Sequence, residues 1–223
     1  MFKKTIQQAL KQVAAKIDRK LFGRQEFVII SNNCWGAEIY KRLKKPYNTP
    51  FVGLFLYGPD YLKLVERFDH YMAQPLTFAS QSVWSSEPVK YPIGKLDDIE
   101  VHFLHYRSAD EAAEKWNRRL LRMKQVTDKS RYYFKICDRD LTTPALIERF
   151  HKAPIANKIS FGIAPVSSKN HIIVTEGRDK TSVPDGVILY QLGFKYVDVF
   201  KWIKTGKFSN NVYGKIKSLV GIA

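Results

Sequence analysis

The sequence predicts an α/β fold, a mostly parallel open sheet with helices on both faces, preceded by a basic amphipathic helix. Short runs rich in β-branched and aromatic residues, such as Phe27-Val28-Ile29-Ile30 and Tyr132-Tyr133-Phe134-Lys135-Ile136-Cys137, alternate along the chain with segments of helical period. Alternation of this kind builds parallel sheets through helical crossovers. No internal repeat or low-complexity linker interrupts it, so residues 1–22 read as the amphipathic helix and residues 23–223 as a single α/β domain.

The elements follow in order. Ile6, Leu10, Val13 and Ile17 recur at helical spacing, and residues 2–20 carry six cations against one acid. That pattern suits a helix lying in a membrane interface and, equally, a surface helix packed on its own domain. A strand over Phe27–Ser31 leads to a helix from Trp35 to Lys44. Phe51–Leu56 reads as a short buried strand, and Pro59 opens a helix whose apolar face is Tyr61, Leu64, Val65, Phe68 and Met72. Residues 75–95 are irregular, Ile99–Leu104 is a strand, and Ser108 with Glu111 forms a capping box before a long helix. Tyr132–Cys137 is a strand, Thr143-Pro144 starts a short helix, and Lys158–Gly162 and Ile172–Thr175 are further strands before a helical piece around Val199–Lys204.

Composition narrows the class. Apolar residues make up 45% of the chain and aromatics 13%, enough for a packed core. No apolar run is long enough to span a bilayer, and no secretory signal pattern is visible. Cys34 and Cys137 are the only cysteines, which argues against a disulfide scaffold and for the cytoplasm, peripherally on the inner face of the membrane if the first helix docks there. A formal charge of +16 calls for an anionic partner. Nucleic acid is disfavoured, because the lysines are scattered and neither RNP-type aromatics nor paired Cys/His zinc spacing occurs. A phosphate-bearing small molecule and an anionic membrane remain. No His/Cys/acid cluster has metal-ligand spacing.

The most informative stretch is Ser31-Asn32-Asn33-Cys34-Trp35-Gly36, between the first strand and its helix. Small polar residues there direct backbone N–H groups and the positive end of a helix dipole to the rim where α/β sheets bind ligands. Cys34, in the first helical turn, is expected to have a lowered pKa and to serve as a thiolate nucleophile, with Ser31 as the other candidate. Asn32, Asn33, Trp35 and Gly36 are expected to hold the donor. The competing reading makes Asn33 an N-cap and Cys34 a small buried residue. His105, at the end of its strand, is the candidate proton carrier, whereas His102 shares a face with Glu100 and reads as a satisfied interior histidine. Asp138 ends another strand, where it could orient His105 or cap a turn; with Asp140 it also has the Asp-X-Asp spacing of a nucleotide-sugar metal site. Arg118 and Arg122, four apart on one helix, could grip a diphosphate or form a solvated basic face.

The hexapeptide, together with His105-Tyr106-Arg107-Ser108-Ala109-Asp110-Glu111-Ala112 and Lys115-Trp116-Asn117-Arg118-Arg119, resembles an uncharacterised bacterial domain-of-unknown-function family found in exopolysaccharide and capsule gene clusters. The resemblance runs from about Phe27 to Lys204, with Ala37 where relatives often have a second glycine. It implies an α/β fold and a role in surface-polysaccharide assembly or modification, and it carries no catalytic roles. The Asn33-Cys34 pair is also similar to one that some polysaccharide acyltransferases place in a coenzyme A site after their first strand.

The expected function is therefore a transferase acting on an exopolysaccharide or capsule precursor, with a coenzyme A ester or nucleotide sugar as anionic donor. Acyl transfer is preferred to glycosyl or phosphoryl transfer, because no glycine-rich phosphate loop is present. The alternative is a non-catalytic scaffold that binds glycans or an anionic membrane.

Overall fold

The computed structural model of the protein describes residues 2–177, 181–209 and 212–222. Four strands, β1 (Val28–Ser31), β5 (Tyr132–Cys137), β6 (Asn157–Gly162) and β7 (His171–Ile173), form a fully parallel sheet in the order β1-β5-β6-β7. A second, antiparallel sheet contains β2 (Thr77–Ala79), β3 (Ile93–Leu96) and β4 (Ile99–His102). The helices are α1 (Phe2–Phe22), α2 (Trp35–Leu43), α3 (Gly58–Glu66), α4 (Phe68–Ala73), α5 (Ala109–Gln125), α6 (Pro144–Lys152), α7 (Gly186–Tyr196), α8 (Val199–Thr205) and α9 (Val212–Leu219).

Both faces of the parallel sheet are covered, as the buried apolar strands require. Side-chain alternation sends Val28, Ile30, Tyr132, Phe134 and Ile136 into one core with α3, α5, α6 and the small sheet. Phe27, Ile29, Tyr133 and Cys137 enter a second core with α2, α7 and α8. Gly36 lets α2 lie directly on β1, since a Cβ there would come within 2.7 Å of Ile29 Cγ2. Helix α1 packs beside α2 and α8. Its buried Asp18 is held by Arg42 Nε and Lys217 Nζ, each at 2.8 Å. Among the described residues no helix is long and apolar enough to cross a membrane.

Several elements depart from the sequence expectation for local reasons. Phe51–Leu56 is not a strand; Phe55 makes a single antiparallel bridge to His102 and the rest is a buried loop. The stretch from Ile99 contributes to the antiparallel sheet, where β3 is its hairpin partner, so it does not extend the parallel one. The helix after Pro59 breaks at Arg67, whose φ of −129° is not helical. Helices α7 and α9 are additions: α7 is apolar on most sides and so lacks a clear helical stripe.

Candidate functional site

The carboxyl ends of β1 and β5 lie side by side, with Ser31 opposite Lys135 in the ladder. Beyond β1 the chain turns into α2, and beyond β5 it turns through Asp138–Leu141 toward α6. The N-terminus of α3 closes on the same rim, because Leu56 N–H donates to Asn32 O and Gly58 N–H to Asp140 O (2.7 Å). Gly58 is required there: a Cβ would fall 2.7 Å from Thr142 Cα and 2.9 Å from its nitrogen.

The β1 corner is closed. Ser31 and Asn32 are fully buried, and Asn33 is nearly so. At its centre stands Lys135, a fully buried lysine in an otherwise apolar strand. Its Nζ donates to Asn32 Oδ1 (3.1 Å) and Asn33 Oδ1 (2.9 Å), while the Asn33 amide donates to Cys137 Sγ (3.2 Å). Burial lowers the Lys135 pKa, a trend the neighbouring Cys137, Asp140 and Asp138 oppose. Asn33 Oδ1 also accepts from Trp35 N–H (3.2 Å). The first residue of α7 seals the corner, since a Cβ on Gly186 would lie 2.6 Å from Trp35 N and 2.7 Å from Asn33 Oδ1.

This closure corrects the assignment of the hexapeptide as a donor-binding loop. Trp35 is a core side chain against Phe161 and Tyr190, and Gly36 serves helix–strand packing. Ser31 has no exposure to offer as a nucleophile. Cys34 is the N-cap of α2 without a capping hydrogen bond, and burial pushes its thiol up rather than down; Lys41 and Lys135 only partly counter this. The helix dipole loses to desolvation, and Cys34 is a thiol at neutral pH.

The other predicted residues are dispersed. His105 follows β4 of the second, antiparallel sheet; its backbone N–H donates to Gly53 O and its side chain is exposed. Arg118 pairs with Glu114 on the helix surface. Arg122 donates to Tyr47 O (2.9 Å) and borders a recess with Glu26 and Phe27, which precede β1, so it sits at the opposite end of the sheet. Asp138 accepts from Ile163 N–H (2.7 Å) through Oδ2 and from Val183 N–H (2.9 Å) through Oδ1. Each oxygen tethers a loop, whereas Asp140, two residues on, has no such bond. Among the described residues no group of three or more His, Cys, Asp or Glu could hold a metal ion.

The β5 corner is the open one. Asp140 and Leu141 both adopt left-handed backbone conformations, with φ of 56° and 62°. Two consecutive non-glycine residues in that region store strain, which concentrates at functional sites. The Asp140 carboxylate is half-buried and has no hydrogen-bond or ion-pair partner among the described residues. Desolvation raises its pKa, and the nearby charges of Arg139 and Lys135 pull it back. It bears electrostatically on the hydroxyls of Tyr57 and Tyr91, both half-buried.

Those tyrosines belong to an aromatic group around His102. The imidazole stacks on Phe55 at 4.7 Å and meets Tyr57 and Tyr91 at 5.0 and 5.8 Å between centroids, while Trp84 lies against Tyr57. Glu100 is fixed by Ser82 Oγ (2.6 Å) and Val83 N–H (3.0 Å); Asp60 binds the Trp84 indole N–H (2.7 Å). His102 is interior, as expected, but unsatisfied: Nε2 is 3.3 Å from Glu100 Oε2 without hydrogen-bonding alignment, and Nδ1 has no partner. Burial lowers its pKa and keeps it neutral.

Residue reasoning thus passed over Lys135, Tyr57 and Tyr91, and it noted Asp140 only as the second member of an Asp-X-Asp pair. A lone lysine inside an apolar parallel strand is a readable signal. The tyrosines gave none, being loop residues 34 positions apart.

The chain matches the family model described as a domain of unknown function (DUF1919) over residues 4–205, and it belongs to that family. It is 36% identical over 190 residues to an uncharacterized protein of Haemophilus influenzae, a match covering 84% of this chain and 87% of the relative.

Proposed function

Taking that membership as the premise, we propose that the protein is a transferase acting on a saccharide precursor of a bacterial surface polysaccharide, with Asp140 as proton acceptor. The carrying observation is the strained, unpartnered Asp140 carboxylate at the carboxyl rim of the parallel sheet, beside half-buried aromatic rings. Aromatic side chains with a few polar groups commonly line small-molecule sites. Tyr57, Tyr91 and Trp84 offer apolar faces with polar tips, suited to the C–H faces and hydroxyls of a sugar. The polysaccharide pathway rests on the resemblance carried by the Ser31–Gly36 and His105–Arg119 motifs.

In this reading an acceptor hydroxyl gives its proton to Asp140 while its oxygen forms a bond to the electrophilic carbon of the donor. The donor's leaving group departs with the electron pair of the broken bond. Burial favours a carboxylate with a pKa above the ordinary range, closer to working pH, which suits a general base. We take transfer to be direct, since Ser31 is inaccessible and burial disfavours the Cys34 thiolate. Acyl transfer is preferred to glycosyl transfer, because the sequence has no glycine-rich phosphate loop and Asp138 serves to tether the loops at Ile163 and Val183.

Thermal shift against coenzyme A esters and nucleotide sugars should identify the donor. Turnover with a saccharide acceptor should then fall by about 10²-fold or more in Asp140→Asn, with the donor-induced shift retained. Undiminished turnover in that variant removes Asp140 from the mechanism. A donor or glycan that binds without turnover in the wild type favours the scaffold.

A further inference from the structure

Helix α1 packs on the domain with the wrong face for an ordinary amphipathic helix. The side turned inward carries Ala14, Asp18 and Phe22. The side turned to solvent carries Ile6, Leu10, Val13, Ile17 and Leu21, one continuous stripe of large aliphatics, each between 42% and 63% exposed. Burial normally claims the aliphatic stripe, and contiguous exposed apolar surface marks an interaction site.

The orientation is enforced. Asp18 is the only acidic residue of α1, and its buried pairing with Arg42 and Lys217 fixes the rotation of the helix about its axis. Lys217 belongs to α9, whose own outer face exposes Val212, Ile216 and Leu219, followed by Val220. Gln7 of α1 donates to Val220 O and Gly221 O, so the two apolar stripes lie on helices tied to one another.

Charge identifies the partner. Lys16 borders the stripe and is exposed, while the opposite flank of α1 carries further cations, Lys11, Arg19, Lys41 and Lys44 lining a groove of about 640 Å³ against α2 whose single acid, Glu38, is paired to Lys41. Lys20 and Lys215 add exposed cations on α1 and α9, and Lys204 reaches Leu21 O beside the end of the stripe. A second copy of the chain is a poor occupant. A helix seam needs opposite charges along its flanks, and the one acid of α1 is already consumed.

We propose that the α1–α9 surface docks on an anionic lipid bilayer, its aliphatic stripe entering the acyl boundary and the lysines meeting headgroup phosphates. This is the geometry of an interfacial amphipathic helix, in which burial and electrostatic attraction act together. The inference is independent of the reaction at Asp140.

The full chain should co-sediment with phosphatidylcholine vesicles containing about 30% phosphatidylglycerol, not with pure phosphatidylcholine, and be released by salt. Replacing Leu10, Val13 and Ile17 together by Gln should weaken binding about tenfold or more, with circular dichroism and the urea midpoint unchanged, because these side chains are already exposed. A Lys16→Glu, Lys20→Glu variant should show a similar loss through the electrostatic arm. Wild-type protein that ignores anionic vesicles, or a triple variant that binds them as well as wild type, overturns the proposal. So does a wild-type dimer in sedimentation velocity that the triple variant dissolves, which would assign the stripe to a second copy.

Discussion

Two corners of one sheet rim are finished in opposite ways. After β1, the Asn32 and Asn33 side chains and the Lys135 ammonium have partners, and the backbone of α7 is pressed against them. After β5, Asp138 accepts from two backbone amides, yet Asp140, two residues on, holds a bare carboxylate on a left-handed backbone. The first corner is what a buried polar network looks like when it serves the fold. The second combines incomplete bonding with strain, which a fold keeps only where the surroundings impose it.

Substitutions should therefore affect stability at one corner and chemistry at the other. The largest effect is expected from Gly186→Ala. Alanine is ordinarily favoured over glycine in a helix by up to about 1 kcal/mol, but here its Cβ meets the backbone nitrogen of Trp35, which cannot yield. We expect a net loss of about 3 kcal/mol in urea unfolding; a neutral result would show that the corner is not tightly closed. Next comes Lys135→Met, which relieves a buried charge but leaves Asn32 Oδ1 without its ammonium donor and Asn33 Oδ1 with the Trp35 N–H alone. The unmade hydrogen bonds should win, with a loss of about 2 kcal/mol. A stabilised Lys135→Met would mean that the lysine is retained for function and that the corner is a working site after all. The smallest effect has the opposite sign. Asp140→Gly removes the left-handed strain and should raise stability by about 0.5–1 kcal/mol while abolishing turnover. Lower stability in Asp140→Gly would reveal a structural role for its carboxylate and erase the contrast.

How far the sequence disclosed this depended on whether a feature was local or assembled. The strand–helix alternation, the Ser108 cap and the Thr143 cap are set by residues within a few positions and occur as expected, with Glu111 N–H donating to Ser108 Oγ (3.2 Å) and Leu146 N–H to Thr143 Oγ1 (3.3 Å), although the Glu111 carboxylate accepts from Arg107 N–H and not from Ser108 N–H. The Ser31–Gly36 turn was placed correctly between strand and helix. Its chemistry was not, because whether a helix N-terminus faces solvent depends on Gly186, some 150 residues later. The same distance hid the inverted packing of α1: periodicity located its aliphatic stripe, but the choice between inward and outward was made by Asp18 and a lysine near the far end of the chain.

That last bond has a kinetic consequence. Asp18 and Lys217 are 199 positions apart, so their loop closes only after all the intervening chain has been made. During synthesis α1 emerges well before α9, so the Asp18 carboxylate has Arg42 as its charge partner long before Lys217 arrives to complete the pairing. A nascent chain thus carries a loose, lysine-rich, oily helix ahead of a body that is still condensing behind it.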